Sequence, residues 1–280
     1  MEKQIYRFNA GTIETVEVSS LGAKIIMKSH DSDEIYAEYD NPKDSPEFCA
    51  VLSGTTLTFK EKLSFSIFGT KPTEGYTITV MLPKKLFGKI KVNTASGGVE
   101  INDITAADFD LNTASGNINI NSFFESVKIQ SASGNIVLTC PEEKTAKSVT
   151  VCTVSGSADI SCYKAEEFSV HSVSGVTTYN GASGKGKIAV TSGSVNVNYA
   201  EWNNDLDISA ISGTINITLP ENSGADIKFE GVSGNLRTDI GMAKGQSMNL
   251  GKGTSGVIGG ENCHKVSISL TSGNVNIMQQ

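Results

Sequence analysis

The sequence predicts an all-β fold, a single-stranded β-solenoid that is parallel and β-helix-like, with about ten or more coils. Three observations lead there. The dipeptide Ser-Gly recurs with its glycine at Gly97, Gly116, Gly134, Gly156, Gly175, Gly193, Gly213, Gly234, Gly256 and Gly273, at gaps of 17 to 22 residues and a repeat of roughly 19–20. Apolar residues flank each dipeptide at a spacing of two, which is strand periodicity. Helix signals are weak throughout, because Gly, Ser, Thr, Asn, Val and Ile are abundant and no stripe of period 3.6 is sustained.

Alignment on the glycines shows four apolar positions, seven and five residues before each and two and four after it. Around Gly116 these are Phe109, Leu111, Ile118 and Ile120; around Gly134, Val127, Ile129, Ile136 and Leu138; around Gly213, Leu206, Ile208, Ile215 and Ile217. The nearest inward positions on the two sides, three before the glycine and two after it, are separated by an odd number, so a straight strand would throw one half outward. The chain must turn or bulge there. Glycine suits the turn because it reaches backbone angles closed to other residues, and the ten glycines are accordingly read as structural turns.

Residues 1–89 read as a less regular β region continuous with the solenoid, and residues 90–280 as the regular Ser-Gly repeat. Strand patterns cover Ile13 to Val18, Lys24 to Lys28, Glu34 to Tyr39, Cys49 to Lys60 and Tyr76 to Pro83. Asn41 to Pro46 has the chemistry of a loop. Leu63 to Gly75 reads as an excursion covering an open end of the solenoid. Within the repeats, short polar stretches read as connectors, among them Asn102 to Asp108, Asn121 to Ser126, Gly181 to Lys187 and Tyr199 to Asp205. Met248 and Leu250 sit one residue early before Gly256, which predicts an irregular coil there.

The strand Ile78-Thr79-Val80-Met81-Leu82-Pro83, followed by Lys91-Val92-Asn93-Thr94-Ala95-Ser96-Gly97-Gly98-Val99-Glu100-Ile101 and echoed by Ile215-Asn216-Ile217-Thr218-Leu219-Pro220, resembles the bacterial putative-adhesin family, a domain of unknown function built of β-strand repeats. The resemblance covers essentially the whole chain. It implies a β-solenoid without assigned catalytic residues, of a kind often attached to cell-envelope or envelope-stress proteins.

Composition narrows the function classes. A net charge of -7 offers no basic stripe for a phosphate backbone, so nucleic acid is not an expected partner. The start Met1-Glu2-Lys3-Gln4-Ile5-Tyr6 has no apolar leader pattern and no run is long enough to span a bilayer, which gives a cytoplasmic expectation, with envelope association through a partner. Five cysteines at irregular places do not form a disulfide framework.

Equal offsets from glycine should become spatial neighbours in a stack. Six residues before it stand Lys91, Asp110 and Lys128, and later Lys187, Asp207 and Lys228, two charge ladders with a carboxylate between ammoniums. Four residues before it run Asn93, Asn112 and Gln130, an amide ladder, and then Cys152 and His171. A Cys beside a His has the elements of a nucleophile and base or of two metal ligands, yet no third partner is evident. Cys140 and Cys162 also share an offset. Gly181-Ala182-Ser183-Gly184-Lys185-Gly186-Lys187 approaches a phosphate-binding loop, but Ile188 stands where a hydroxyl must hold magnesium, so the segment reads as a flexible connector. No catalytic residue, metal ligand or cofactor is assigned. The candidate binding residues are aromatic, Tyr199 with Trp202 and Phe123 with Phe124, unless one of each pair covers the core. The expected function is a non-catalytic interaction scaffold for a protein, peptide or glycan. The rival is a carbohydrate-active lyase or hydrolase, which needs two facing carboxylates that Asp110, Asp207, Glu100 and Asp159 do not supply in sequence.

Overall fold

The computed structural model describes residues 2–41, 46–62, 75–141, 143–242, 246–251, 253–260 and 262–280. Every regular element among them is a strand, and the chain forms two units, Met1–Glu142 and Glu143–Gln280. The expected excursion of residues 63–75 lies, save its last residue, outside the described residues, as does most of the 41–46 loop.

Each unit is built from two walls of parallel strands whose inward side chains meet. In the first unit one wall runs Thr56–Lys62, Thr15–Ser20, Leu86–Thr94, then the later parts of Val99–Ser115 and Ile118–Ser133. The other runs Thr77–Pro83, Lys24–His30, the early parts of the same two long strands, and Ile136–Thr139. Antiparallel strands cover one end: Glu47–Ser53 on the first wall, Glu34–Asn41 on the second, and Glu2–Asn9 outside that. Asn102 to Asp108 and Asn121 to Ser126, expected as connectors, are strand. The chain passes from one wall to the other within each long strand, bending where Asp103 takes φ 56 and where the register slips between Asn121 and Phe123.

In the second unit one wall is Thr145–Thr153, Lys164–Ser172, Lys185–Val190, Leu206–Ala210, Asn262–Leu270 and Ser223–Gly231. Its companion is Ser157–Ser161, Val176–Ala182, Ser194–Tyr199, Thr214–Leu219, Asn274–Gln279 and Asn235–Thr238. Ser255–Gly259 and Met248–Leu250 close the end as antiparallel strands. The four apolar positions around Gly116, Gly134 and Gly213 are all buried, none more than 3% exposed.

Two expectations are corrected here. The coils do not stack wholly in chain order: the last coil, 262–279, lies between the coil of 206–219 and the coil of 223–238. Asp207 is therefore opposite Ser267 rather than Lys228, and only its Lys187 side forms the expected ladder. The first unit has the same arrangement at its end, where Thr15–Ser20 lies between Thr56–Lys62 and Leu86–Thr94. Gly256, expected as a turn of the repeat, instead sits in the antiparallel end strand with no atom within 4 Å of where a side chain would begin.

The Ser-Gly dipeptide has a different physical cause from the one expected. Only Gly116 and Gly134 among the stacked turn glycines have a positive φ, 136° and 124°. What the column shares is close approach. A Cβ on Gly175 would lie 1.8 Å from the Gly156 carbonyl oxygen, on Gly193 2.3 Å from that of Gly175, on Gly273 2.5 Å from that of Gly213, and on Gly234 2.8 Å from that of Gly273. Each turn rests directly on the backbone of the next. The serine acts across the same gap: Ser174 Oγ donates to the Val154 carbonyl, Ser192 to Val173, Ser212 to Thr191, Ser272 to Ile211 and Ser233 to Thr271, at 3.0 to 3.2 Å. A short hydroxyl reaches the neighbouring carbonyl only because glycine allows the approach.

Glu61 ends this column in the first unit. In the other coils the amide two residues before the glycine, such as Val173, donates to a backbone carbonyl of the neighbouring coil. Next to the outer strand Thr56–Lys62, the Leu21 amide donates to Glu61 Oε2 at 2.7 Å and Ser20 Oγ to Glu61 Oε1 at 3.0 Å. The Glu61 carboxylate thus accepts, at this position, hydrogen bonds from the Leu21 amide and the buried Ser20 hydroxyl.

Candidate functional site

The aromatic residues expected on the surface are in the core. Phe123 is 8% exposed and Phe124 is fully buried, with its ring stacked on Phe109 at 4.4 Å. Trp202 donates its indole Nε1–H to the Gly224 carbonyl at 2.8 Å and meets Tyr199 and His264 edge-on. Tyr199 is 1% exposed and its hydroxyl has no hydrogen-bond partner among the described residues, so burial drives its pKa upward. The apolar bodies of these rings fill the wide edge of the coil, opposite the narrow Ser-Gly turn. Periodicity could not assign them, since they fall in the stretches between repeats.

The expected amide ladder exists, and a second one lies in the other unit. In the first unit Asn112 Nδ2 donates to Asn93 Oδ1 at 3.3 Å, and Gln130 follows in register. In the second unit, the position three residues after the glycine builds an outer column of six side chains, Asp159, Thr178, Asn196, Asn216, Asn276 and Arg237, in unbroken register. Asn216 Nδ2 donates to Asn196 Oδ1 at 2.7 Å, and Asn276 Nδ2 to Asn216 Oδ1 at 2.7 Å. On either side lie Asn198 bonded to Asn180 at 2.6 Å and Asn235 bonded to Asn274 at 3.1 Å. Strand alternation puts all of these outward while Val195, Val197, Ile215, Ile217, Val275 and Ile277 between them are buried.

The chemistry of the column follows from counting donors and acceptors. A carboxamide has two N–H donors and an oxygen with two lone pairs. The ladder occupies one donor and one lone pair of Asn216, and aligns the remaining ones outward at the strand spacing of about 4.8 Å. The result is a flat, repeating hydrogen-bonding surface, with a carboxylate at one end and a guanidinium at the other. Sequence alignment on glycine places Asn196, Asn216 and Arg237 in succession; Asn276 stands between Asn216 and Arg237 only because the last coil is inserted.

On the other wall, Cys152 and His171 are neighbours in register as expected. His171 Nε2 shares a hydrogen bond with Ser169 Oγ at 2.9 Å, and Ala189 follows it on the next strand. Among the described residues no group of three His, Cys, Asp or Glu has the disposition of a metal site. Burial, and secondarily the Lys187 ammonium, lower the His171 pKa from its ordinary value near 6.5. Histidine with a depressed folded pKa contributes stability above the unfolded value that is lost as pH falls below about 6.5, because the unfolded chain takes up the proton first. His171→Gln should therefore flatten the pH dependence of the urea midpoint below about pH 6.5. An unchanged slope would show that His171 does not titrate this way.

The remaining chemical candidates have structural roles. Cys140 is buried, whereas Cys162 is exposed with φ 58, and none of the five cysteines forms a disulfide. The segment 181–187 is a packed corner rather than a flexible connector: Ala182, Ser183 and Gly184 are buried, and the Gly184 amide donates to Asn203 Oδ1 at 3.0 Å. The carboxylates with shifted titration, Asp31, Glu38, Glu100 and Glu230, are all lowered, each chiefly by a hydrogen bond from a lysine. That direction is opposite to the one a general acid requires.

Comparison with known proteins agrees with this architecture. The family model described as Toastrack DUF4097 matches residues 13–278. The chain belongs to this Toastrack family. Among solved structures, the Toastrack chain is similar to a putative adhesin from Bacteroides fragilis, at 13% identity and TM-score 0.50, covering 99% of this chain and 97% of that one. It is also similar to a putative lipid binding protein from Parabacteroides distasonis, at 13% identity and TM-score 0.51, with 98% and 96% covered. At these identities the likeness concerns the fold. No curated protein matches.

Proposed function

We propose that this Toastrack protein is a non-catalytic scaffold of the adhesin type that holds an extended glycan along the amide column of its second unit, in service of the bacterial cell envelope. The observation that carries the proposal is the six-residue column from Asp159 to Arg237, with its amides pre-aligned by one another. A polymer that repeats hydroxyls at a spacing near that of the strands can meet one coil per unit. Each contact is weak, and many in register add up. Pre-alignment lowers the entropy lost on binding, because the ladder already fixes the side-chain rotamers. The adhesin description of the B. fragilis structure supports the envelope setting. Among the described residues no helix is long and apolar enough to cross a membrane.

The test is a glycan array probed with wild type and with the triple variant Asn196→Ala, Asn216→Ala, Asn276→Ala. These side chains point outward, so the variant should fold. The expected result is binding of one extended glycan class by wild type and a loss of at least about tenfold in affinity in the variant, since several charge-neutral hydrogen bonds of about 1 kcal/mol each are removed. Equal binding by both proteins would displace the site from this column. Cleavage of the bound glycan would replace the scaffold by an enzyme.

A further inference from the structure

A second site lies in the first unit, independent of the amide column. Around the crossing between its walls is a pocket of about 500 Å³ whose lining includes Lys84, Leu86, Asp103, Ile104, Thr105 and Phe123. Its size falls within the range of about 300–1,000 Å³ usual for small-molecule sites.

Two backbone irregularities make it. Asp103 adopts φ 56, a left-handed conformation uncommon outside glycine, and the next strand slips register between Asn121 and Phe123. The Ile104 amide, displaced from the ladder by the bend, donates instead to Ser122 Oγ at 3.1 Å. The bend turns Ile104 and Phe123 toward the pocket as its apolar floor, and Leu86, 58% exposed, forms an apolar rim. Phe123 is too deeply set to offer a ring face for stacking on a sugar. A flexible alkyl chain fits such a floor better.

The lining includes two lysines and one aspartate in a protein whose net charge is -7. Lys85 Nζ donates to the carbonyls of Ala10 and Ile13 and lies 4.9 Å from the centre of the Phe87 ring, so its ammonium is already held by groups outside the lining. Lys84 pairs with Asp31 at 2.8 Å, but both side chains are largely exposed and such a pair holds weakly. Lys84 can therefore turn to a ligand at small cost. The hydroxyls of Ser29 and Thr105 complete the polar side.

We propose that this pocket binds a free medium-chain fatty acid, with the alkyl chain on Ile104, Phe123, Leu86, Pro83 and Pro141 and the carboxylate at Lys84. Calorimetric titration of the full chain with decanoate, below its micelle concentration, tests it. Decanol serves as the neutral analogue with the same chain. The expected result is saturable binding of one decanoate per chain, weaker binding of decanol, and a loss of about tenfold or more for decanoate in Leu86→Asp and in Lys84→Glu. Both substitutions are at exposed positions, and circular dichroism matching wild type would show the fold intact. Lack of saturable binding, equal affinity for decanoate and decanol, or affinity unchanged in both variants would overturn the proposal. Because the site shares no residue with the amide column, its failure would leave the glycan proposal standing, and the converse holds as well.

Discussion

Gly175→Ala is expected to destabilise the protein by about 4 kcal/mol or more, whereas Gly251→Ala should change stability by about 0.5 kcal/mol or less. The two substitutions add the same methyl group. At Gly175 it would lie 1.8 Å from the Gly156 carbonyl oxygen, so two coils must separate at the turn. Separation also lengthens the bond from Ser174 Oγ to the Val154 carbonyl and the backbone bond from the Ser174 amide to the same carbonyl. At Gly251 the nearest atom to a Cβ is 4.0 Å away. Since Gly175 does not have a positive φ, a large effect there would be due to close approach and not to backbone strain. Urea unfolding of both variants measures the difference. Comparable midpoints and slopes would remove the turn column from the account.

Much of this fold is legible in sequence because a β-solenoid repeats its physics. Phe109, Leu111, Ile118 and Ile120 announce a buried face by spacing alone, and Lys91, Asp110, Asn93 and Asn112 fall into register once Gly97 and Gly116 are aligned. What alignment of the repeats cannot supply is the reason for the recurring spacing within them. Glycine at the turn is compatible with a special φ and with close approach, and the two are separated only by seeing the neighbouring carbonyl. Burial of Trp202 and Phe123 was hidden for a different reason. An aromatic ring in a polar stretch has no periodic partner, and its position depends on where the walls meet.

The order of the coils was the least legible feature. A parallel strand pairs equally well with any neighbour of matching pattern, and Asn262–Leu270 alternates as regularly as Ser223–Gly231. The intervening residues decide the outcome: the segment carrying Met248–Leu250 and Ser255–Gly259 folds back as antiparallel strands on the coil of 223–238, leaving the next coil to enter on that coil's other side. The candidate site inherits this illegibility, because Asn276, the third carboxamide of its column, comes from the inserted coil.

That insertion is the claim on which both the fold of the second unit and its amide column depend. A chain ended after Gly260 lacks the coil of 262–279, which supplies the parallel hydrogen bonds of both 206–219 and 223–238. Amide exchange protection follows local opening, from nearly zero to the global stability. Hydrogen exchange on the shortened chain should show residues 223–238 losing protection almost entirely, with 206–219 partly exposed and 164–199 still protected. Were the coils stacked in chain order, the shortened chain would lose only a terminal coil, and protection of 223–238 equal to that in the full chain would contradict the account.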